Sequence, residues 1–406
     1  MSGPKPRRIL MLAPLAPWPA NNGAKVRMFH LARLLSRRHA VTLLVLAPEG
    51  QGVTDPLATA LPGVEVRVVP SAARSPRPMR AIQALVGRQP LHVSEAWNPR
   101  MAAAVAEESR RPFDVLHVFH MTMAQYVTYA KAPLLVYDPM GHEALYMERM
   151  IASAPRLWAP FLKANLRRVR RYEAWATSRF DAVVAVSDLE AAYFRQAARP
   201  DALVATIPIA PDTNQLLALE ATGADRPVVL FTGSLDWFPN IDAARYLVQQ
   251  IWPLVIRARP DAELWLAGKD PAPDVRELAR AAGVSVVANP DSMLPLLRDA
   301  AVVAVPIRTG SGTKIKTVEA MAAGKAIVTT TLGCEGWDVA DGTHVRRADG
   351  PEEFARALVA LLGDPAERAR MGTAARNLVR QRYTADGMVE RFEALYTAGL
   401  ARAGAA

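Results

Sequence analysis

Short apolar runs alternate with helix-forming stretches along the whole 406-residue chain, and no other feature restricts the fold as tightly. A run of about four to eight apolar residues bounded by turn signals reads as a strand covered on both faces, and helical spacing between such runs supplies the crossovers of a parallel sheet. The first half offers strands at 9–13, 41–46, 64–69, 115–119, 134–137 and 182–186. The second half offers 227–232, 263–267, 284–287, 301–305 and 326–330. Helical patterns lie at 23–37, 242–257, 274–281, 351–362, 366–381 and 385–401. The proline-rich TIPIAPDT between the halves reads as a linker, because proline cannot extend an interior strand or helix.

A chain of this length with 51% hydrophobic and 22% charged residues is globular and too long for one core. The expected division is 1–208, 209–384 and a last helix within 385–406 that packs back on the first domain. Each half follows the grammar of a doubly wound α/β domain, in which ligands bind beyond the carboxyl ends of the strands. Two such domains facing each other would make a central cleft. The single cysteine, Cys334, excludes an intramolecular disulfide and a multi-cysteine metal site, which suits a reducing compartment. The N-terminal apolar run is broken by prolines and reads as a buried first strand rather than a signal peptide. No stretch reaches the roughly 18 apolar residues of a membrane span, so a cytoplasmic location is expected.

The formal net charge of +10 favours anionic partners. Its densest source lies in 158–175, where Lys163, Arg167, Arg168, Arg170 and Arg171 are interleaved with Trp158, Phe161, Leu162, Leu166 and Tyr172. As a helix this is a basic amphipathic segment able to rest on an anionic membrane surface, or else a solvated face of an arginine-rich protein. Nucleic acid is not expected, since no zinc finger, basic zipper or stacking-aromatic pattern accompanies the arginines.

The stretch PIRTGSGTKIKTVEAMAAGKAIVTT carries the chemistry. A strand ends near Val305, a loop turns on Gly310, Ser311 and Gly312, and a helix runs from Lys314 to Ala323 before Gly324 closes it. A glycine loop feeding a helix leaves its first N–H groups unpaired and backed by the helix dipole, a seat for phosphate or diphosphate. It can equally be an ordinary strand–loop–helix connection. Glu319, one to two turns into the helix, is too far along to be a cap and suits a ribose.

With these residues in view, the chain resembles retaining glycosyltransferases of family 4, which have the α/β GT-B architecture of two Rossmann-like domains. Within that family it is most similar to bacterial sugar transferases of exopolysaccharide and surface-glycan systems. PWPANNGAKVRMFHLARLLSRRHAVTLLVL, FDVLHVFH, RFDAVVAVSDLEAAYF, TIPIAPDT, VVLFTGSLDWFPNIDAARYLV, ELWLAGKDP and SGTKIKTVEAMAAGKAIVTTTLGCEGWDV carry the likeness in this order. The resemblance implies a nucleoside-diphosphate sugar as co-substrate, held mainly by the second domain. Glu319 would take the ribose hydroxyls, Gly310, Ser311, Gly312 and Thr313 the sugar and diphosphate, and Lys314 or Lys316 the phosphate charge. Gly23 would let the first domain's backbone approach the diphosphate. The acceptor would be a glycan, a glycolipid or a lipid-linked sugar.

Three departures qualify the likeness. Many relatives carry a second glutamate eight residues before the ribose glutamate, where this chain has Ser311. Similar enzymes have a histidine two residues after the Tyr-Asp pair, where this chain has Met140, with His142 two residues further on. The arginine and lysine pair that many relatives carry after the second domain's first strand is missing from GSLDWFPNID, so Lys314, Lys316 or Arg308 would compensate.

Candidate acceptor-side catalytic residues are His142, Asp138 and His120, each at or after a strand end, where polar loop residues are placed for chemistry. His142 can equally be a structural histidine, and Asp138 can orient a substrate hydroxyl or cap the following segment. His117 falls within the apolar alternation and reads as core. Gly233 and Trp237 mark the mouth of the second domain, Trp237 either stacking on a base or sugar or covering the hinge. No metal is expected, since HExxH, clustered cysteines and an Asp-x-Asp pair are all missing. VAVSDLE lacks the glycines of a serine nucleophile elbow. The reading is a nucleotide-sugar-dependent retaining glycosyltransferase, peripheral at the inner face of the cell membrane if its acceptor is lipid-linked. The alternatives are a small-molecule-decorating transferase, a nucleotide-sugar 2-epimerase and a non-catalytic partner subunit.

Overall fold

The computed structural model describes residues 5–20, 22–50, 52–71, 87, 89–153, 159–211, 213–219, 226–310 and 312–405. Two compact units result, one formed by Met1–Ile209 with Ala385–Ala406 and the other by Ala210–Thr384.

The first unit is built on a sheet of β1 (Arg8–Ala13), β2 (Ala40–Pro48), β3 (Val64–Ser71), β4 (Val115–Phe119), β5 (Leu134–Asp138), β6 (Ala182–Ala185) and β7 (Leu203–Thr206). Its spatial order is β3-β2-β1-β4-β5-β6-β7, with every pairing parallel. β4 and β6 are buried at every position, as continuous apolar strands under helices on both faces must be. β7 is the strand of this sheet that the sequence pattern does not reveal. It lies at the sheet edge, its four residues are only half-buried, and prolines follow at once, so it reads locally as linker.

The second unit repeats the scheme with β8 (Val228–Thr232), β9 (Glu263–Gly268), β10 (Val284–Ala288), β11 (Val302–Val305), β12 (Ala326–Thr329) and the two-residue β13 (Arg346–Arg347). The order is β10-β9-β8-β11-β12-β13, again wholly parallel. Both sheets are therefore doubly wound, with strand order reversing between β1 and β4 in one and between β8 and β11 in the other. Close backbone approach fixes one glycine: a Cβ on Gly268, at the end of β9, would lie 1.7 Å from the Gly233 carbonyl oxygen.

The helix expected over 242–257 starts earlier, at Phe238, and passes through a π-helical stretch at Leu247–Ile251 before Trp252–Ala258. The helix expected over 274–281 is shorter, ending at Glu277 with a 3₁₀ turn at Leu278–Arg280. The final helix, Ala385–Ala405, belongs to the first unit. There Glu393 meets Arg38 at 3.0 Å and His39 at 3.2 Å, and the Tyr396 hydroxyl lies 2.7 Å from His117 Nδ1.

The basic segment is the helix Ala159–Thr177. Leu166, Val169, Tyr172 and Ala176 are buried in the core of the first unit, so the apolar side that the sequence offered to lipid faces inward instead. Lys163, Arg167, Arg170 and Arg171 are exposed, Arg170 being paired with Glu148 at 2.8 Å. Phe161 is exposed beside them, and Trp158 lies outside the described residues.

Candidate active site

In a doubly wound sheet the helices on either side of the reversal point pack on opposite faces, which opens a crevice at the strand ends. In the second unit the loops bordering that point are those after β8 and β11. The loop after β11 turns through Gly310 at φ 101° and Gly312 at φ 73°, left-handed conformations that a side chain would strain. It delivers the chain into the helix Ile315–Ala322, whose cap residue Lys314 is extended and makes no side-chain cap. The Thr317 N–H bonds back to the Lys314 carbonyl at 2.9 Å, while the first N–H groups of a helix have no acceptor within it. The hydroxyls of Thr309 and Thr313 flank the loop, buried and without a hydrogen-bond partner among the described residues. Ser311 lies outside the described residues.

The helix carries Lys316 and Glu319 on one side, three residues apart. Lys316 Nζ donates to Asn240 Oδ1 at 2.7 Å and sits 4.3 Å from the centre of the Phe231 ring. It thereby reaches across to the end of β8, where Gly233 makes room: a Cβ there would stand 2.8 Å from both Lys316 Nζ and Asn240 Nδ2. Protein packs around the half-buried Lys316. That desolvation, opposed by Glu319 and aided by Lys314, pushes its ammonium down to about 7. Burial raises the Glu319 carboxyl, with Lys316 opposing. A basic and an acidic group that each resist ionisation thus stand together on one helix at the end of the sheet.

The other two candidate bases are engaged elsewhere. Arg308 makes a two-pronged pair with Asp242, at 2.6 and 3.2 Å, and lies over the Tyr246 ring at 4.1 Å. Lys314 Nζ turns back to the Gly312 carbonyl at 2.6 Å. Trp237, at the start of the helix Phe238–Tyr246, is 54% exposed. Asn240 escaped the sequence reading because nothing local links it to a lysine 76 residues away.

In the first unit the reversal point lies between β1 and β4. Gly23 opens the helix Gly23–Leu35, capped by Asn22 accepting from the Lys25 N–H at 3.0 Å. His120 follows β4 with φ 64°, its Nδ1 2.9 Å from Thr122 Oγ1. Packing around the ring, with a smaller contribution from His92, pushes its imidazole down to about 4.

Asp138 ends β5 but does not open to a ligand. Its carboxylate is fully enclosed, accepting from Arg27 Nε at 2.6 Å and lying 3.4 Å from His117 Nε2. Burial alone would raise this carboxyl; Arg27 and His117 outweigh it and hold it below the usual range. Arg27, which the sequence reading passed over, also donates to the Ile207 carbonyl at 2.7 Å and lies 5.0 Å from the Phe392 ring. Asp138 therefore anchors a strand end rather than presenting itself to a hydroxyl. The segment beyond it carries Met140 at φ 60° and Gly141 at φ 153°, and ends at His142, which is 7% exposed. Among the described residues, no group of three or more His, Cys, Asp or Glu side chains is arranged to hold a metal ion.

Two family models match the chain: "Glycosyltransferase Family 4" over residues 21–215 and "Glycosyl transferases group 1" over residues 226–364. This chain is a GT-B protein related to the family-4 glycosyltransferases. Among solved structures it shares its fold with HepE of Anabaena in complex with UDP, at 17% identity and TM-score 0.68 over 96% of this chain and 100% of that one. Sucrose-phosphate synthase of Thermosynechococcus elongatus matches at 16% identity and TM-score 0.72, covering 98% and 100%. TarM matches at 10% identity and TM-score 0.72, covering 96% and 98%. A curated relative, the "uncharacterized 44.6 kDa protein in cps region" of Klebsiella pneumoniae, is 27% identical over 139 residues, 32% of this chain and 36% of that protein.

Proposed function

We propose that this GT-B protein transfers a sugar from a nucleoside-diphosphate sugar, with retention, to a glycan, a glycolipid or a lipid-linked acceptor. The observation that carries the reading is the seat after β11: a helix start without a side-chain cap from Lys314, two buried threonine hydroxyls with no hydrogen-bond partner among the described residues, and Lys316 beside Glu319. Glu319 receives the ribose hydroxyls, the backbone around Gly310, Gly312 and Thr313 the sugar and diphosphate, and Lys316 the phosphate charge. As the glycosidic bond breaks, negative charge builds on the departing diphosphate. Donors held there stabilise the transition state more than the ground state, each by typically about 3 kcal/mol. The complexes of HepE with UDP and with UDP-glucose favour a uridine donor.

His142 and His120, at the strand ends of the first unit, position the acceptor, and the Asp138–Arg27 pair holds the root of the His142 loop. The exposed basic face of the Ala159–Thr177 helix adds electrostatic attachment to an anionic membrane, with the exposed Phe161 beside it for apolar contact. A thermal-shift and turnover screen against UDP-, GDP-, ADP- and dTDP-sugars tests the donor reading, since a bound ligand raises apparent stability by mass action. Stabilisation by one nucleotide, with a product of unchanged anomeric configuration, is the expected result. Release of a free 2-epimer without acceptor selects an epimerase, and the lack of any response to all four nucleotides refutes the reading.

A further inference from the structure

His142 is held by residues that no motif points to. Glu173, within the Ala159–Thr177 helix, is 2% exposed. Its Oε1 accepts from the backbone N–H groups of Glu143 at 2.8 Å and Ala144 at 3.4 Å. It therefore caps the helix Glu143–Ser153 from a neighbouring helix, where the partial positive charge of that helix start favours a carboxylate. Its other oxygen, Oε2, lies 3.4 Å from His142 Nε2, and neither atom has a hydrogen-bond partner among the described residues. On its other side the imidazole meets the Tyr193 ring at a centroid distance of 3.6 Å and 39° tilt, with Phe194 beyond at 5.9 Å. The left-handed Met140 brings the loop into this position, a conformation a non-glycine residue holds only when its surroundings impose it. Glu143, half-buried beside the pair, is pushed up to about 7 by burial and then by the negative charge of Glu173.

We propose that Glu173 is the positioning residue for His142, holding the imidazole with Nε2–H directed at its Oε2 so that Nδ1 carries the lone pair. A histidine whose one nitrogen is tied to a carboxylate has its tautomer and ring orientation fixed, and its other nitrogen becomes the better acceptor. Tyr193 restricts the ring from a third helix, Asp188–Ala197. The lone pair on Nδ1 is then the group offered to an acceptor hydroxyl. This deepens the reading that the chain is a glycosyltransferase using His142, and rests on it.

Nitrogen-15 labelling of the seven histidines and two-bond correlation spectra report the tautomer directly, without any ligand. His142→Gln identifies the signal. Glu173→Gln keeps the carbonyl that caps the helix but turns an NH₂ toward Nε2, so the His142 signal is expected to change from the Nε2–H to the Nδ1–H pattern. An unchanged tautomer in Glu173→Gln overturns the proposal, whatever the activity. With UDP-glucose as donor, Glu173→Gln and His142→Ala are each expected to lower kcat about 10- to 100-fold with the donor KM unchanged, and the double variant is expected to be no worse than His142→Ala. Glu173→Asp, which keeps the charge but withdraws it from the ring, should fall between. Loss of kcat in His142→Ala alone sinks the role of Glu173. Full kcat in both variants sinks instead the reading that His142 acts at all.

Discussion

Replacing Lys316 by methionine is expected to weaken UDP binding and to remove its dependence on pH. In the free protein the Lys316 ammonium titrates near 7, because the packing that seats it beside Phe231 and Asn240 desolvates it more than Glu319 compensates. At pH 8 it is then only about one-tenth protonated. A diphosphate placed against it restores the charged form, so binding at pH 8 should take up about 0.9 proton, falling to about 0.1 at pH 6. The sign follows from linkage: the bound state holds more protons than the free state, so the UDP dissociation constant should rise roughly tenfold per pH unit above about 7.5. The terminal phosphate of UDP loses its last proton near 6 and does not interfere in that range. Folding stability moves the opposite way. The folded pKa is depressed below the unfolded value, so the unfolded chain binds more protons between pH 7 and 10.5, and the cost of burying Lys316 fades as pH rises through that window.

Lys316→Met keeps the packing on Phe231 but loses a charge-assisted hydrogen bond of about 1.5–3 kcal/mol, a ten- to hundredfold rise in Kd near pH 7. Isothermal titration with UDP in two buffers of different ionisation enthalpy measures proton uptake and affinity together. Wild-type binding without proton uptake at pH 8 would refute the assignment. So would a Lys316→Met protein that retains the pH slope.

Four further outcomes are expected. Glu319→Ala should raise the UDP Kd about ten- to a hundredfold in a folded protein, and unchanged affinity by calorimetry would mean that the ribose lies elsewhere. Gly312→Val should abolish turnover with little loss of fold: its Cβ would meet nothing within 4 Å, but φ +73° is strained for a β-branched residue and the loop must shift. Circular dichroism and donor turnover on the same sample separate the two effects. Asp138→Asn leaves Arg27 as a buried charge without its counter-ion and should cost about 3–5 kcal/mol in urea unfolding of the first unit; a change under about 1 kcal/mol would contradict the enclosed ion pair. Replacing Arg167, Arg168, Arg170 and Arg171 by Glu should reduce co-sedimentation with phosphatidylglycerol vesicles at low salt, and wild-type protein that ignores such vesicles removes the membrane proposal.

Strands buried on both faces leave their mark in sequence as uninterrupted apolar runs, so β1, β4, β8 and β11 could be read almost to the residue. The glycine turn before the helix was equally legible, since Gly310 and Gly312 in left-handed conformations ahead of a helix form a local signal that needs no tertiary contact. Edge strands escaped: β7 is only half-buried and β13 has two exposed residues, so neither needs an apolar run. Which partner each base takes was undecidable from spacing, because Arg308, Lys314 and Lys316 lie within nine residues of one another and look alike in sequence. Packing separates them: Asp242 takes Arg308, the Gly312 carbonyl takes Lys314, and strand order brings β8 beside β11 so that Lys316 reaches Asn240. The same holds in the first unit, where Asp138 looked like a substrate contact until its partner proved to be Arg27, 111 residues earlier. Local sequence determines which segments become strands, turns and helix starts, whereas the partner of a charged side chain is set by which strands become neighbours, and only the folded chain decides that.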